Sequence, residues 1–275
     1  QTSASDIAPR RKRTPAGTGD SPGTPAAPPP SQRSARRAAD FDPAAQLDKL
    51  DAEVQGPAGP RRRGSAGVVP VVAGLPSDFF ASYTGEPLAE PAFLEAASAL
   101  GCEVVAVRAV AEVESRGAGF DTERRPTLLY ERHVFSRNTV PRGKHDAAHP
   151  DLSARQPYAP GTFGNTERQW VKLGQAYGLD PVAALKAPSW GLFQILGENH
   201  RACGYASVVD YARAMTTSPV AHLRAFVAFV RSNPTLLKAI RERNWAAFAR
   251  AYNGPNYTQY RYDQKMAAAY ARHSG

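Results

Sequence analysis

A mainly α-helical domain with at most a small β element, preceded by a disordered tail, is the fold class this chain predicts, and three features predict it. Apolar residues recur at three- and four-residue spacing through most of the chain beyond Pro87. One segment, Pro126 to Phe135, is apolar and β-prone enough to suit a strand or a short buried run. Residues 1–75 are crowded with Pro, Ala, Gly, Ser and Arg and hold few aromatics, so they bury too little apolar surface to offset the entropy of ordering.

The expected division is therefore a basic Pro/Ala-rich tail over 1–75 and one folded domain over 76–275, a normal domain size. Within the tail, Ala44 to Val54 is periodic but too short to hold a helix alone in water. The clusters Arg10 to Arg13 and Arg61 to Arg63 feed a formal net charge of +9, which suits a polyanionic partner. No zinc-ligand spacing, aromatic RNA-binding strand or basic region leading into heptads accompanies them, so no specific nucleic-acid partner is expected. A solubilising linker is the favoured reading, and anionic envelope polymer is the alternative partner.

No run resembles an 18-residue apolar span, so no transmembrane segment is expected. The chain opens on Gln1 without the apolar core of a secretory leader, which leads to the expectation of a processed or trimmed product. Cys102 and Cys203 both sit in apolar settings and are expected as buried free thiols rather than as a disulfide.

Taken in order, Pro91 to Leu100 reads as a helix with Pro in its first turn, and a second helical run over Leu100 to Ser115 follows almost directly. Residues 136–165 form a long loop rich in Pro, His and Asp. Helices are predicted over Thr166 to Tyr177, Val182 to Lys186, Trp190 to Glu198, Ser207 to Met215, Val220 to Ser232, Thr235 to Arg243, Trp245 to Ala251 and Tyr260 to Arg272. Leu223, Phe226, Val227 and Val230 form one apolar stripe, read as core.

Glu114 stands out within this pattern. On the 3.6-residue period it continues the stripe of Leu100, Val104, Val107 and Ala111, so an ionisable group ends a face that enters the core. Burial and the partial negative charge of a helix C-terminus both disfavour the anion, which suits an acid that keeps its proton near neutrality. The plainer reading is a solvated carboxylate at a frayed helix end, or one paired with Arg116.

Three separated segments matter together: Glu114-Ser115, Ser189 to Leu196 (Ser-Trp-Gly-Leu-Phe-Gln-Ile-Leu) and Ala251 to Gly254 (Ala-Tyr-Asn-Gly). Here the chain resembles the lysozyme-like superfamily of goose-type lysozymes and soluble lytic transglycosylases, with Phe193 where Met is usual. More closely, Ala111 to Phe120, Arg125 to Phe135, Ser189 to Gly197, Trp245 to Pro255 and Tyr262 to Lys265 resemble the N-acetylmuramidase family of phage endolysins. The likeness covers about residues 85–272 and none of the tail, and departs at Asp121 to Arg124 and around Tyr158 to Asn165.

That resemblance implies cleavage of the β-1,4 bond between N-acetylmuramic acid and N-acetylglucosamine, with peptidoglycan strands as the substrate and no cofactor or metal. Such chemistry needs a proton at the leaving oxygen while an oxocarbenium-like centre develops. Glu114 is the expected general acid. Glu131 is the second carboxylate, able to activate water or stabilise positive charge; followed directly by Arg132 and His133, it suits an internal ion pair equally well. Asp121 and Glu123 are reserves.

Ser115, Gly191, Gln194 and Asn253 are expected substrate contacts; for Gln194 the alternative is a side chain bonding backbone, and for Asn253 a helix-ending residue before Gly254-Pro255. Tyr252 suits a hydroxyl set against Glu114, or a core ring. Trp190 and Phe193 are apolar enough to stack on sugar faces, although aromatic residues in a helical protein are more often core.

His145 and His149, with Asp146 and Asp151, faintly suggest a metal site, but Pro141 and Pro150 bound a polar stretch unsuited to the helix that HxxxH spacing requires. Gly64-Ser65-Ala66-Gly67 lacks the strand and helix that a serine nucleophile needs. Alternatives to the hydrolase are a lytic transglycosylase, in which the muramyl 6-hydroxyl replaces water, a catalytically silent wall-binding module, and nucleic-acid binding through the tail. A monomer acting in the bacterial periplasm or cell wall is expected, by phage lysis, a secretion system or a processed effector.

Overall fold

The computed structural model describes residues 70–115, 119–159 and 161–275; the expected tail up to Val69, with its basic clusters and periodic segment, lies outside them, as does Arg116. Among the described residues are ten α-helices and a three-stranded antiparallel sheet. Val72, Phe79 and Phe80 are already buried, with Phe80 edge-on to Trp170 at 5.3 Å, so core packing begins slightly before Leu75.

Helix α1 (Glu90–Leu100) starts with Pro91 in its first turn and stops at Gly101, whose left-handed φ of 63° closes the helix while the Cys102 amide donates to the Ala97 carbonyl. That stop corrects the expectation of one helical run from Leu100: helix α2 is Val104–Glu114, and Leu100 fills the core from the preceding helix. Glycine tolerates the left-handed conformation that ends a helix without steric cost. The buried side of α2 carries Ala106, Val107, Val110, Ala111, Val113 and Glu114. Along it lies the last helix of the chain, forming the most extensively packed pair of elements.

Strand β1 (Leu128–Leu129) leads almost at once into α3 (Arg132–Asn138), so the Pro126 to Phe135 segment is partly strand and partly helix. Turns occupy 139–159 and 161–165. They are tied down by Arg132, whose guanidinium donates to the carbonyls of Pro150, Gln156 and Pro157, and by the Tyr130 hydroxyl on the Leu152 carbonyl. His145 packs on Phe135 at 5.9 Å, and among the described residues no group of three or more His, Cys, Asp or Glu is placed to hold a metal.

After α4 (Thr166–Leu179) and α5 (Pro181–Lys186), the helix expected over Trp190 to Glu198 is instead β2 (Ser189–Trp190), a tight turn, β3 (Ile195–Leu196) and a 3₁₀ turn at Gly197–Asn199. Positive φ at Gly191 (65°) and Gln194 (45°) is incompatible with an α-helix, and Ser189 is paired with Leu129 on one side and Leu196 on the other.

Helices α6 (Val208–Met215), α7 (Pro219–Ser232), α8 (Pro234–Arg241), α9 (Trp245–Asn253) and α10 (Tyr262–Ser274) follow. Side chains of Asn165, Asp180, Ser207, Ser218, Asn233 and Asn244 each accept an amide hydrogen at the start of their helix. Each such cap contributes roughly 1 kcal/mol. The α7 stripe of Leu223, Phe226, Val227 and Val230 is buried as expected. Cys102 and Cys203 are free thiols, and burial raises the pKa of both. No helix among the described residues is long and apolar enough to cross a membrane.

Candidate active site

Glu114 is the last residue of α2 and only 8% exposed. Its apolar stripe carries it inward, and Ser115 ends the helix: the Ser115 amide donates to the Ala111 carbonyl at 2.7 Å, and the Ser115 hydroxyl donates to the same oxygen. Opposite stands the end of α9. There Asn253 Nδ2 donates to Glu114 Oε1 at 2.8 Å. That bond sets the direction of the carboxyl.

The neighbouring residue does a second job. Tyr252 Oη donates to the carbonyl of Phe193 at 2.7 Å, while its ring packs on Phe226, Phe229 and Phe248. Consecutive helical side chains point about 100° apart, so the last turn of α9 reaches Glu114 with one residue and the β2–β3 turn with the other.

That turn, Gly191 to Gln194, contains two positive-φ residues, one of them not glycine. A left-handed non-glycine residue costs on the order of 1 kcal/mol, so surrounding bonds have to hold it. Each residue of the turn is held. The Gly191 amide donates to the Thr127 carbonyl at 2.7 Å, and Gln194 Nε2 donates to the Gly191 carbonyl at 2.7 Å. The Leu192 amide donates to His222 Nδ1 at 3.2 Å, and Phe193 is fixed by Tyr252.

His222, on α7, is a residue that sequence reasoning missed. A backbone N–H only donates, so Nδ1 accepts and Nε2 carries the proton, which it gives to the Met215 carbonyl at 2.7 Å. Complete burial pushes its pKa down to about 4, outweighing the opposing effect of the Met215 bond. Phe120 stacks on the ring at 5.0 Å and 7°, and Gly191 lies so close that a Cβ there would meet the imidazole at 2.7 Å. One signal was available: His222, four residues before Phe226, continues the buried stripe of α7 with a polar ring.

Other candidates fall elsewhere. Trp190 is 1% exposed, edge-on to Trp170 at 6.0 Å, and its indole N–H donates to the Leu185 carbonyl. Phe193 is 2% exposed and stacked on Phe226 at 4.4 Å. Both rings are core, the plainer alternative the sequence offered, and neither presents a face to a sugar. Glu131 is 2% exposed, precedes α3, and lies 3.4 Å from His133 Nδ1, the ion-pair alternative. Asp121 and Glu123 both bind Arg125, which also reaches Glu167 at 2.7 Å and so pins the 121–125 turn to α4.

Three comparisons bear on what this arrangement is. The sequence model of the N-acetylmuramidase family matches residues 103–274. Among solved structures, the fold is similar to the crystal structure of the Burkholderia AP3 phage endolysin, at 38% sequence identity and a TM-score of 0.65, covering 68% of this chain and 72% of that one. No curated protein sequence matches.

Proposed function

From the premise that this chain belongs to the N-acetylmuramidase family, and so to the peptidoglycan-cleaving glycoside hydrolases, we propose that it hydrolyses the β-1,4 bond between N-acetylmuramic acid and N-acetylglucosamine, with Glu114 as general acid. The observation that carries this reading is the Asn253 to Glu114 hydrogen bond at the end of a buried helix face. A carboxyl withdrawn to 8% exposure and aimed by a neutral amide is suited to deliver a proton to a glycosidic oxygen. As the bond breaks, the sugar ring takes on oxocarbenium character, and water completes the substitution at the anomeric carbon.

Asn253 sets the direction of the acid, a positioning task that keeps the reacting atoms within attack distance. The Gly191–Gln194 turn is anchored through Tyr252 to the same helix end that reaches Glu114, which supports Gln194, with Ser115, as a substrate contact. For Glu131, burial and the His133 contact support an internal pair.

Product analysis on purified peptidoglycan tests the reading. Mass spectrometry is expected to find reducing muramic acid ends released by the native chain and none by Glu114→Gln. Products ending in 1,6-anhydromuramic acid would replace the hydrolase with a transglycosylase. Cleavage undiminished in Glu114→Gln would remove the assignment of the acid.

A further inference from the structure

The Gly191–Gln194 turn holds two positive-φ residues, and one imidazole packs against it. His222 Nδ1 accepts the Leu192 amide, its face lies against Gly191, and its opposite nitrogen is anchored on the Met215 carbonyl of α6. Phe120, stacked on the same ring, belongs to the segment that follows Glu114, where it bridges to Pro126. Leu192 closes the circuit: its side chain fills the space beside Gly119, where an added Cβ would lie 2.5 Å from it. The turn and the segment that follows Glu114 therefore meet on His222.

We propose that His222 is a positioning residue for the proposed cleavage: its neutral ring fixes the Gly191–Gln194 turn relative to the segment leaving Glu114, and so sets the spacing between the acid and the groups facing it. The inference rests on the peptidoglycan hydrolysis argued above. Its physical content lies in one acceptor nitrogen. Without it the Leu192 amide is an unsatisfied buried donor, and the positive-φ conformation at Gln194 loses one of the bonds that holds it.

Two substitutions separate this role from simple support of the fold. The amide oxygen of Asn reaches about where Nδ1 lies, so His222→Asn keeps an acceptor for Leu192 and gives up the Met215 bond. The amide nitrogen of Gln reaches about where Nε2 lies, so His222→Gln keeps the Met215 bond and gives up the acceptor. Each loses one hydrogen bond, and comparable drops in Tm are expected. Turnover should not fall equally: below both Tm values, kcat of His222→Gln is expected to lie about 10- to 100-fold under that of His222→Asn, the scale of a misplaced reacting group.

Equal kcat in the two folded variants would overturn the proposal, whereas a native chain that fails to cleave peptidoglycan would overturn the hydrolase reading itself. Should His222→Gln not fold, hydrogen exchange in the native protein decides. The Leu192 amide is expected among the slowly exchanging ones. Rapid exchange there would show that the bond is not held, and the proposal would fall.

Discussion

Asn253 and Glu114, 139 residues apart in sequence, meet through a 2.8 Å hydrogen bond in which the amide nitrogen of one donates to the carboxyl oxygen of the other. The contact joins the ends of α2 and α9. It makes the orientation of the acid depend on a helix far along the chain, which leads directly to the first expectations.

Asn253→Ala removes the donor without emptying a core position, since Asn253 is only partly buried. The fold should persist, with kcat reduced roughly 10- to 100-fold as the carboxyl loses its preferred direction. Steady-state kinetics on solubilised glycan, with circular dichroism to verify folding, is the measurement.

Glu114→Gln is nearly isosteric and keeps a group for Asn253 to contact. It should lower kcat by about 10²–10⁴-fold, the usual contribution of a general acid, while leaving sedimentation with peptidoglycan intact. Equal loss of binding and turnover would point to a damaged fold and not to a missing proton.

Glu131→Gln should behave in the opposite way. The side chain is buried beside His133, so neutralising it removes half of an internal pair at a cost of about 1–3 kcal/mol. Thermal unfolding is expected to drop by several degrees with kcat little changed. A collapse of kcat at unchanged Tm would return Glu131 to the catalytic machinery.

Acid should destabilise the protein through His222. Its folded pKa is lowered to about 4 by burial, while the unfolded ring titrates near its ordinary 6.5. Between those values the unfolded chain binds a proton that the folded one refuses, so stability is full above pH 6.5 and declines as pH falls towards 4. The loss is on the order of 3 kcal/mol and levels off below pH 4. Urea denaturation across that range should show a steeper fall for the native chain than for His222→Asn, which lacks this imidazole.

Gly191→Ala should damage both stability and turnover. Its φ of 65° disfavours any side chain, and the new Cβ would press on the imidazole of His222 at 2.7 Å. The conformational part alone amounts to roughly 1 kcal/mol or more. Calorimetry and kinetics should move together here, unlike in Glu131→Gln.

Much of the helical layout was legible in the sequence because it is written locally. Apolar spacing marked α4, α6, α7, α8 and α10 to within a few residues, with the expected starts at Val182, Val220 and Thr235 one residue after the Pro that opens each helix. Glu114 was legible for the same reason: a carboxyl that prolongs an apolar stripe is visible in a single helix. Local rules failed where tertiary pairing overrides propensity. Trp190 to Glu198 carries enough apolar residues for a helix, yet pairing with Leu129 and two positive-φ residues make it a hairpin.

By itself, then, the sequence determined the mainly helical class and most of its helices, and marked Glu114 as a carboxyl continuing an apolar face, since each depends on residues within a turn or two of one another. Only the tertiary structure decided what those residues touch. That Asn253 reaches Glu114 and Tyr252 the Phe193 carbonyl, that Trp190 and Phe193 turn into the core, and that His222 accepts the Leu192 amide all follow from the way the helices and the β2–β3 turn meet. Contacts between elements more than a hundred residues apart depend on packing of the whole domain, and no local spacing encodes them.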